Sequence, residues 1–232
     1  MIQLTPLEQE ALWLSLQVAF WCVAVSLVPG VVVAWVLARL RFPGRTLLDG
    51  IVHLPLVLPP VVIGYLLLVV FGRQGLIGGP LYDWFGISIA FTWRGAVIAS
   101  AVVAFPLLVR AIRLSLEAVD RGLESAARTL GARPWRVFLT ITLPLMAPGI
   151  LTGVILAFAR SLGEFGATIT FVSNIPGETR TLPLALYSVL QRPGGDEAAI
   201  RLAIISIVVA IAALAASELL ARRLRRRLGS AP

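Results

Sequence analysis

Residues that could carry out covalent chemistry are few in this sequence. The 232 residues include one histidine, His53, and one cysteine, Cys22, which lies inside an apolar run and can form no disulfide within the chain. A hydrolase that used His53 or Ser161 would need a nucleophile, a base and an orienting group within reach of one another. We expect His53 to have no acidic partner and no second metal ligand. We therefore predict neither a catalytic site nor a metal site, and an intramembrane hydrolase is kept only as an alternative class.

A phosphate-binding loop is missing from the sequence as well. All 20 basic residues are arginines, so no glycine-rich loop can end in Gly-Lys-Ser/Thr. Such a loop uses its lysine to reach the phosphates of a nucleotide. If the function uses ATP, we expect a different subunit to bind ATP and Mg²⁺, and we predict no cofactor on this chain.

Two charged residues, Arg160 and Glu164, interrupt a long apolar run, where ionisable groups are costly and face protein or water. Their spacing lets the side chains meet on one face of a helix. Two roles are open. In the first role, the two residues form a buried ion pair that fixes helix packing. In the second, Arg160 attracts an anion near a gate while Glu164 holds the arginine in place.

Another apolar run contains Pro59 and Pro60, which lack the backbone donor that a straight helix needs. The run predicts either a kinked packing helix or a broken helix that lines a conduit. The candidate residues of a translocation pathway or gate are therefore Arg160, Ser161, Glu164, Pro59 and Pro60.

The composition indicates that these runs lie in a membrane. Apolar residues make up 58% of the chain and charged residues 14%, whereas a soluble domain is near half apolar and a quarter charged. A helix of about 20 residues crosses the hydrocarbon core. We predict an all-α integral membrane protein, one domain over residues 1–232, with about five transmembrane helices. The predicted crossings are residues 11–38, 51–71, 87–109, 143–172 and 198–221.

The arginines predict the orientation of these crossings. With the C terminus in the cytoplasm, 14 arginines fall inside, five fall outside and Arg160 lies within the membrane. The positive-inside rule favours this arrangement, which places the N terminus outside. We interpret the arginines as determinants of orientation and not as a nucleic-acid-binding surface. Residues 72–86 and 173–196 are predicted outer loops, the second with a short interfacial helix near residues 184–190.

The long connection of residues 117–144 is predicted to carry a short cytoplasmic helix. Asp120 suits its N-terminal cap, and Gly131 suits the left-handed position just past its C-terminal end. A second short helix is predicted at residues 135–138. An apolar face of the first helix rests on the membrane or the protein's own helices, or it docks into a partner subunit. This face consists of Leu123, Ala126, Ala127 and Leu130.

The same connection resembles the cytoplasmic signature loop of binding-protein-dependent importers. In that family the motif is Glu-Ala-Ala, three residues, Gly, nine residues, Ile, one residue and Leu-Pro, and every spacing matches here. The sequence departs at the first position, where Ser125 replaces the glutamate and the acid stands one residue earlier, at Glu124. The resemblance implies a coupling loop, at about residues 117–142, that docks on an ATPase subunit. Its residues are Glu124, Ser125, Ala126, Ala127, Leu130, Gly131, Ile141, Leu143 and Pro144.

Nearly the whole chain is similar to the molybdate permease subunit and its sulfate relatives. The similarity implies the type I permease fold of ATP-binding-cassette (ABC) importers in the bacterial inner membrane. It also implies a homodimer, two cytoplasmic ATPase subunits and a periplasmic binding protein that selects molybdate, sulfate or tungstate. The stretches that carry it are His53-Leu-Pro-Leu-Val-Leu-Pro-Pro-Val-Val, Arg128-Thr-Leu-Gly-Ala, Arg160-Ser-Leu-Gly-Glu-Phe-Gly-Ala-Thr and Phe171-Val-Ser-Asn-Ile-Pro-Gly-Glu-Thr-Arg-Thr.

A stripe of small residues follows the fourth predicted crossing and permits close approach of another helix. The stripe predicts either the seam of a dimer or helix packing within one chain. A passive ion channel is a further alternative function, although it would leave the apolar cytoplasmic helix without a role. The stripe consists of Gly149, Gly153, Ala157 and Ser161.

Overall fold

The computed structural model describes residues 4–227, of which residues 217, 218 and 220–227 are described by their backbone only. Every regular element in this range is helical. A 3₁₀ turn, Leu54–Leu56, and a π-helical turn, Phe138–Thr142, accompany the α-helices. The α-helices are α1 (Pro6–Arg39), α2 (Arg45–His53), α3 (Pro60–Phe71), α4 (Gly78–Phe85), α5 (Trp93–Glu117), α6 (Arg121–Thr129), α7 (Pro134–Val137), α8 (Leu143–Leu162), α9 (Gly166–Val172), α10 (Leu182–Leu190) and α11 (Asp196–Arg227).

Four helical stretches in the described range are long and apolar enough to cross a membrane. They are α1, α5, the start of α11 and the continuous stretch Pro134–Leu162. The predicted crossing at residues 51–71 is instead bent by 111° between the 3₁₀ turn and α3. Pro59 is extended at the bend, with φ −55° and ψ 132°, and Pro60 begins α3. The expected interruption by proline is confirmed, and the described residues contain four continuous candidate spans, or five if this bent pair of helices forms one broken span.

The predicted crossing at residues 143–172 is wrong at both ends. At its start, α7 continues through the π-helical turn into α8, so the predicted short helix at residues 135–138 is the first turn of a span. At its end, α8 stops at Leu162 and a separate helix, α9, begins at Gly166. Residues 72–86, predicted as a loop, contain α4, whereas the short helix near residues 184–190 is confirmed as α10.

The central helix of the bundle is α5. In the most apolar stretch of α5, 61% of the residues are buried, compared with 28% in that of α1 and 11% in that of α11. Both α1 and α8 pack against α5. The core between them contains Leu108, Ile112 and Leu116, whose side chains are fully buried. Gly30 of α1 allows this approach, because a Cβ atom there would lie 2.9 Å from Cδ2 of Leu108.

The small-residue stripe of α8 belongs to the same packing. A Cβ atom at Gly149 would overlap Ser115 of α5, and one at Gly153 would lie 3.0 Å from the carbonyl oxygen of Leu108. Ala157 and Ser161 are buried as well. The interpretation of this stripe as a dimer seam is therefore wrong for its glycines, because α5 of the same chain already covers them.

Ion pairs define the two ends of the bundle. At one end, here called the basic end, Arg39 at the end of α1 contacts Glu124 of α6 at 2.9 Å. At the opposite end, Arg201 near the start of α11 contacts Glu8 of α1 at 3.1 Å. The chain thus runs toward the basic end in α1, α5 and α11 and away from it in α8. The arginines at positions 222, 223 and 225–227, which entered the orientation count, have side chains outside the described residues.

Candidate functional site

Helix α6 begins and ends as its sequence predicts. The side chain of Asp120 accepts a hydrogen bond from the Gly122 amide at 2.7 Å, which satisfies one of the free donors of the first turn. Gly131 follows the helix with φ +85°, in the left-handed region that favours glycine. The Ala132 amide then donates to the carbonyl oxygen of Ala127, which closes the C-terminal end. The predicted helix and both of its caps are therefore confirmed.

The apolar face of α6 is open to solvent. The side chain of Leu123 is 49% exposed and that of Leu130 just past the helix is 89% exposed. No helix in the described part of the chain covers them, so burial on the protein's own helices is wrong for these two leucines. An exposed apolar face of this kind is typical of a site that docks into the groove of another protein.

The other face of α6 is polar and points toward the bundle. Arg121, Glu124, Ser125 and Arg128 recur at the spacing of one helical stripe and line a cavity beside the end of α1. Ser125, expected at the motif position that docks on an ATPase, therefore lies on this inner face and not with Leu123 and Leu130.

Glu124 is bound within the chain. Its Oε1 atom accepts from the Arg39 guanidinium at 2.9 Å and from the Thr142 hydroxyl at 2.7 Å. Only 15% of the Glu124 side chain is exposed. The carboxylate thus ties α6 to α1 and to the π-helical turn before α8. Sequence reasoning missed Arg39 and Thr142, because nothing in the local pattern of either residue indicates a partner so distant in the chain.

The remaining residues of the signature motif lie at the start of α8. Ile141 lies in the π-helical turn, and Leu143 and Pro144 form the first turn of α8. All three are half-buried, and Leu143 packs against the core of α1 and α5. They link α6 to a membrane span and do not extend the exposed apolar face.

Arg160 and Glu164 form the ion pair that their spacing predicts. The Nη1 atom of Arg160 lies 2.7 Å from Oε2 of Glu164. The other carboxylate oxygen, Oε1, accepts from the Ala167 amide at 2.7 Å. Glu164 is 2% exposed and Arg160 31%. One carboxylate therefore joins the end of α8 to the first turn of α9, as the packing role requires. The role of Arg160 toward an anion stays a prediction.

The two breaks in the bundle lie against each other. A Cβ atom at Gly166, the first residue of α9, would lie 2.8 Å from Cβ of Pro60, the first residue of α3. One turn further along α3, a Cβ atom at Gly64 would lie 2.5 Å from the carbonyl oxygen of Ala167. The sequence predicts the proline break, but the contact between this break and the one at residues 163–165 depends on tertiary packing.

The candidates for nucleophilic chemistry are not brought together. The ring of His53 lies 3.1 Å from Asp49, and Asp49 also pairs with Arg113 at the basic end. The expectation that His53 has no acidic partner is therefore wrong, since Asp49 precedes it by one helical turn. Ser161 lies near the far end of α8, beside Cys22 of α1. In the described range, no cluster of histidine, cysteine and acidic residues could hold a metal ion.

Comparisons with known proteins agree with this arrangement. Residues 30–226 match the family described as "Binding-protein-dependent transport system inner membrane component". The "Molybdenum transport system permease protein ModB" of Escherichia coli K12 is 65% identical over 226 residues, which cover 97% of this chain and 99% of that protein. The protein of the same description from Haemophilus influenzae is 60% identical over 223 residues, covering 96% and 97%.

Solved structures show the same fold at low identity. The methionine ABC transporter MetNI, in an inward-facing form, superposes with a TM-score of 0.74 at 18% identity, covering 94% of this chain and 96% of that chain. This likeness supports the all-α permease fold of type I ABC importers. The family match spans most of the chain and includes α6, both breaks, the last turns of α1 and the other spans. The chain belongs to the inner membrane components of binding-protein-dependent transport systems.

Proposed function

We propose that this chain is the transmembrane permease subunit of an ABC importer that carries molybdate. The observation that carries the proposal is α6, a capped helix outside the spans that exposes Leu123 and Leu130 and ends at a left-handed glycine. Such a helix suits a cleft on a separate ATPase subunit, which binds the ATP and Mg²⁺ that this chain has no loop to hold. Two copies of the permease, two ATPase subunits and a periplasmic binding protein would complete the importer.

Force applied to α6 has three routes into the membrane. Two are covalent, one through residues 118–120 into α5 and one through α7 and the π-helical turn into α8. The third is the contact of Glu124 with Arg39 at the end of α1. Closure of the ATPase pair on ATP moves the docked helix, and these three connections carry the motion to α5, α8 and α1. Net transport requires that ATP binds the two states of the permease with different affinity.

The translocation pathway includes the broken span. Helix α3 turns Val61, Tyr65 and Val69 away from the chain's own core, and each is more than half exposed. A second permease copy facing this surface would enclose a conduit beside Pro59 and Pro60. Arg160 and Glu164 hold the facing break at residues 163–165, and an arginine already paired with a carboxylate attracts an anion less than a free one does.

The importer lies in the bacterial inner membrane with its basic end in the cytoplasm. The arginines gathered at that end support this orientation. They are Arg39, Arg41, Arg45, Arg110, Arg113, Arg121, Arg128, Arg133 and Arg136. Helix α1 begins at the opposite end, so its N terminus is outside. Molybdate is favoured over sulfate or tungstate by the relatives that are 60–65% identical over nearly the whole chain.

Docking of α6 is the step to test first. Leu130→Glu should weaken co-purification of the ATPase subunit about tenfold or more, as the loss of a central apolar contact does at other interfaces. Leu76→Glu is the matched control, because Leu76 is 84% exposed in the segment after α3, away from α6. Equal ATPase recovery for both variants would contradict the docking role.

Transport itself is measured in vesicles that contain the permease and the ATPase subunit, with the binding protein outside. Molybdate uptake should require both ATP and the binding protein. Molybdate flux without ATP would indicate a passive channel instead, and uptake of sulfate alone would reassign the anion.

A further inference from the structure

A cavity of about 680 Å³ separates the end of α1 from α6 and α7 at the basic end. Its wall on α1 carries Val31, Val32 and Trp35, and its wall on the connecting segment carries Arg121, Arg128 and Trp135. The exposed leucines of α6 lie on the opposite face of that helix. An ATPase subunit docked on Leu123 and Leu130 therefore does not need to enter the cavity.

The lining changes from apolar to cationic over a short distance. Val31 and Val32 belong to the membrane-spanning part of α1, and Arg39 ends that helix about 12 Å further along at 1.5 Å per residue. Trp35 lies between the valines and Arg39, and tryptophan is a residue that favours the membrane–water interface. The lining thus follows the order of the parts of a phospholipid. Its apolar side suits an acyl chain, its aromatic rim suits the glycerol region, and its charged side suits the phosphate.

The charged side carries an excess of positive charge. Its one acid, Glu124, is already neutralised by Arg39. The guanidinium of Arg121 reaches only the carbonyl oxygen of Ala38, at 3.5 Å, and Arg128 is exposed. In the part of the chain described with side chains, no acidic group pairs with Arg121 or Arg128. Two arginines on one stripe of a helix can bind the same phosphate group from two directions.

We propose that this cavity binds one anionic phospholipid, with its phosphate between Arg121 and Arg128, its glycerol region against Trp35 and Trp135, and an acyl chain along Val31 and Val32. Basic pockets between membrane helices on the cytoplasmic side are suited to such headgroups. The bound lipid would bridge α6 and α1 beside the Arg39–Glu124 contact and hold the docking helix at a fixed distance from the bilayer. The site requires only that the basic end lies at a membrane surface and is independent of the transported anion.

Photocrosslinking tests the site in the assembled complex. The permease with its ATPase subunit, in vesicles of phosphatidylcholine, is given a photoreactive phosphatidylglycerol with the reactive group near the glycerol. The expected crosslinks fall within residues 31–39 and 121–138, and unlabelled phosphatidylglycerol competes for them whereas added phosphatidylcholine does not. Crosslinks spread over all spans, or competition by both lipids alike, would overturn the proposal.

A pair of charge-matched variants separates a site from general attraction. Arg121→Gln with Arg128→Gln should weaken phosphatidylglycerol binding roughly ten- to thirtyfold, as expected for two arginines at a membrane surface. Arg133→Gln with Arg136→Gln removes the same charge from exposed residues that do not line the cavity and should change binding less than threefold. Equal losses in the two variants would show diffuse electrostatic attraction and refute the site.

Two further outcomes would replace the lipid by another occupant. If inorganic phosphate displaces the photoreactive lipid at equal concentration, the cavity is a site for free anions. If phosphatidylglycerol binds the permease alone but not the complex with the ATPase, the partner subunit occupies the cavity. Retention of binding in the presence of both phosphate and the ATPase supports the proposal.

Discussion

Arg39 and Glu124 lie 85 residues apart in the chain, and their side chains meet at 2.9 Å at the basic end of the bundle. Arg39 ends the first span, and Glu124 lies on the inner face of α6. The pair is 10% and 15% exposed, so it is screened less by solvent than a surface ion pair. Helix α6 is therefore attached to the membrane spans by a side-chain contact as well as by its covalent connections to α5 and α8.

Removal of this contact should uncouple ATP hydrolysis from transport. Glu124→Ala leaves Arg39 and the Thr142 hydroxyl without their acceptor and should cost about 1–3 kcal/mol of stability. We expect a lower melting temperature in detergent and less molybdate uptake for each ATP hydrolysed. Glu117→Ala is the control, because Glu117 is 40% exposed and its partner Arg113 retains Asp49. Unchanged coupling in Glu124→Ala would contradict the side-chain route.

The left-handed backbone at Gly131 gives a graded test of the docking geometry. Gly131→Val places a β-branched residue at φ +85°, where an L-residue costs about 1–2 kcal/mol. The complex should assemble poorly or hydrolyse ATP without transport. Gly131→Asn should be milder, since asparagine tolerates this region. Gly50→Ala serves as control, because no atom lies near its Cβ position and its backbone is helical. Normal uptake by Gly131→Val in vesicles would contradict the proposal that motion of the docked helix α6 drives transport.

Most of helix α6 could be predicted from the sequence, because residues close to it in the chain determine where it begins and ends. Asp120 and Gly131 are caps whose function depends on neighbouring backbone only, and the motif spacing identified the loop. The bundle interior was less predictable. The prolines at positions 59 and 60 predict a break in the helix, whereas the sequence indicates Glu164 only as the partner of Arg160. Its second contact, with the Ala167 amide, starts a new helix inside the predicted fourth crossing, where the hydropathy pattern does not indicate the end of one helix and the start of another.

The contact between the two breaks predicts a steric effect on transport. Gly166→Ala places a methyl group 2.8 Å from Cβ of Pro60 and should force α9 away from α3. Assembly with the ATPase subunit should persist, because α6 is remote from this contact, while molybdate uptake falls. Gly163→Ala is the matched control, since nothing lies within 4 Å of its Cβ position. Equal uptake in the two variants would mean that the breaks do not need to fit closely.

The orientation of the bundle is tested by labelling from one side. Single cysteines at Gln3 and Gly229, both outside the described residues, should react from opposite sides of the membrane in a Cys22→Ser background. Leu76 and Leu130 offer a second pair within the described range, because both are more than four-fifths exposed. Cys22 itself is buried. Reaction of both members of a pair from the same side would refute the proposed topology.

The last prediction concerns Arg160 and Glu164, whose ion pair serves either packing or anion passage. Arg160→Gln strands the carboxylate of Glu164, which is 2% exposed, and breaking a buried pair in this way typically costs about 3–5 kcal/mol. We expect a lower yield and a lower melting temperature. Glu164→Gln should cost less, because the amide oxygen of glutamine can still accept from the Ala167 amide and cap α9.

Combining substitutions separates the two roles. Arg160→Met with Glu164→Gln removes both charges but keeps the cap, so it should recover stability and, under the packing role, molybdate uptake. If Arg160 instead attracts the anion, this double variant recovers stability without uptake. Exchange of the charges, Arg160→Glu with Glu164→Arg, should restore less in either case, because an arginine at position 164 cannot accept from the Ala167 amide. If Arg160→Gln changes neither stability nor uptake, then the ion pair has neither role and the break at residues 163–165 is held by the contact of α9 with α3.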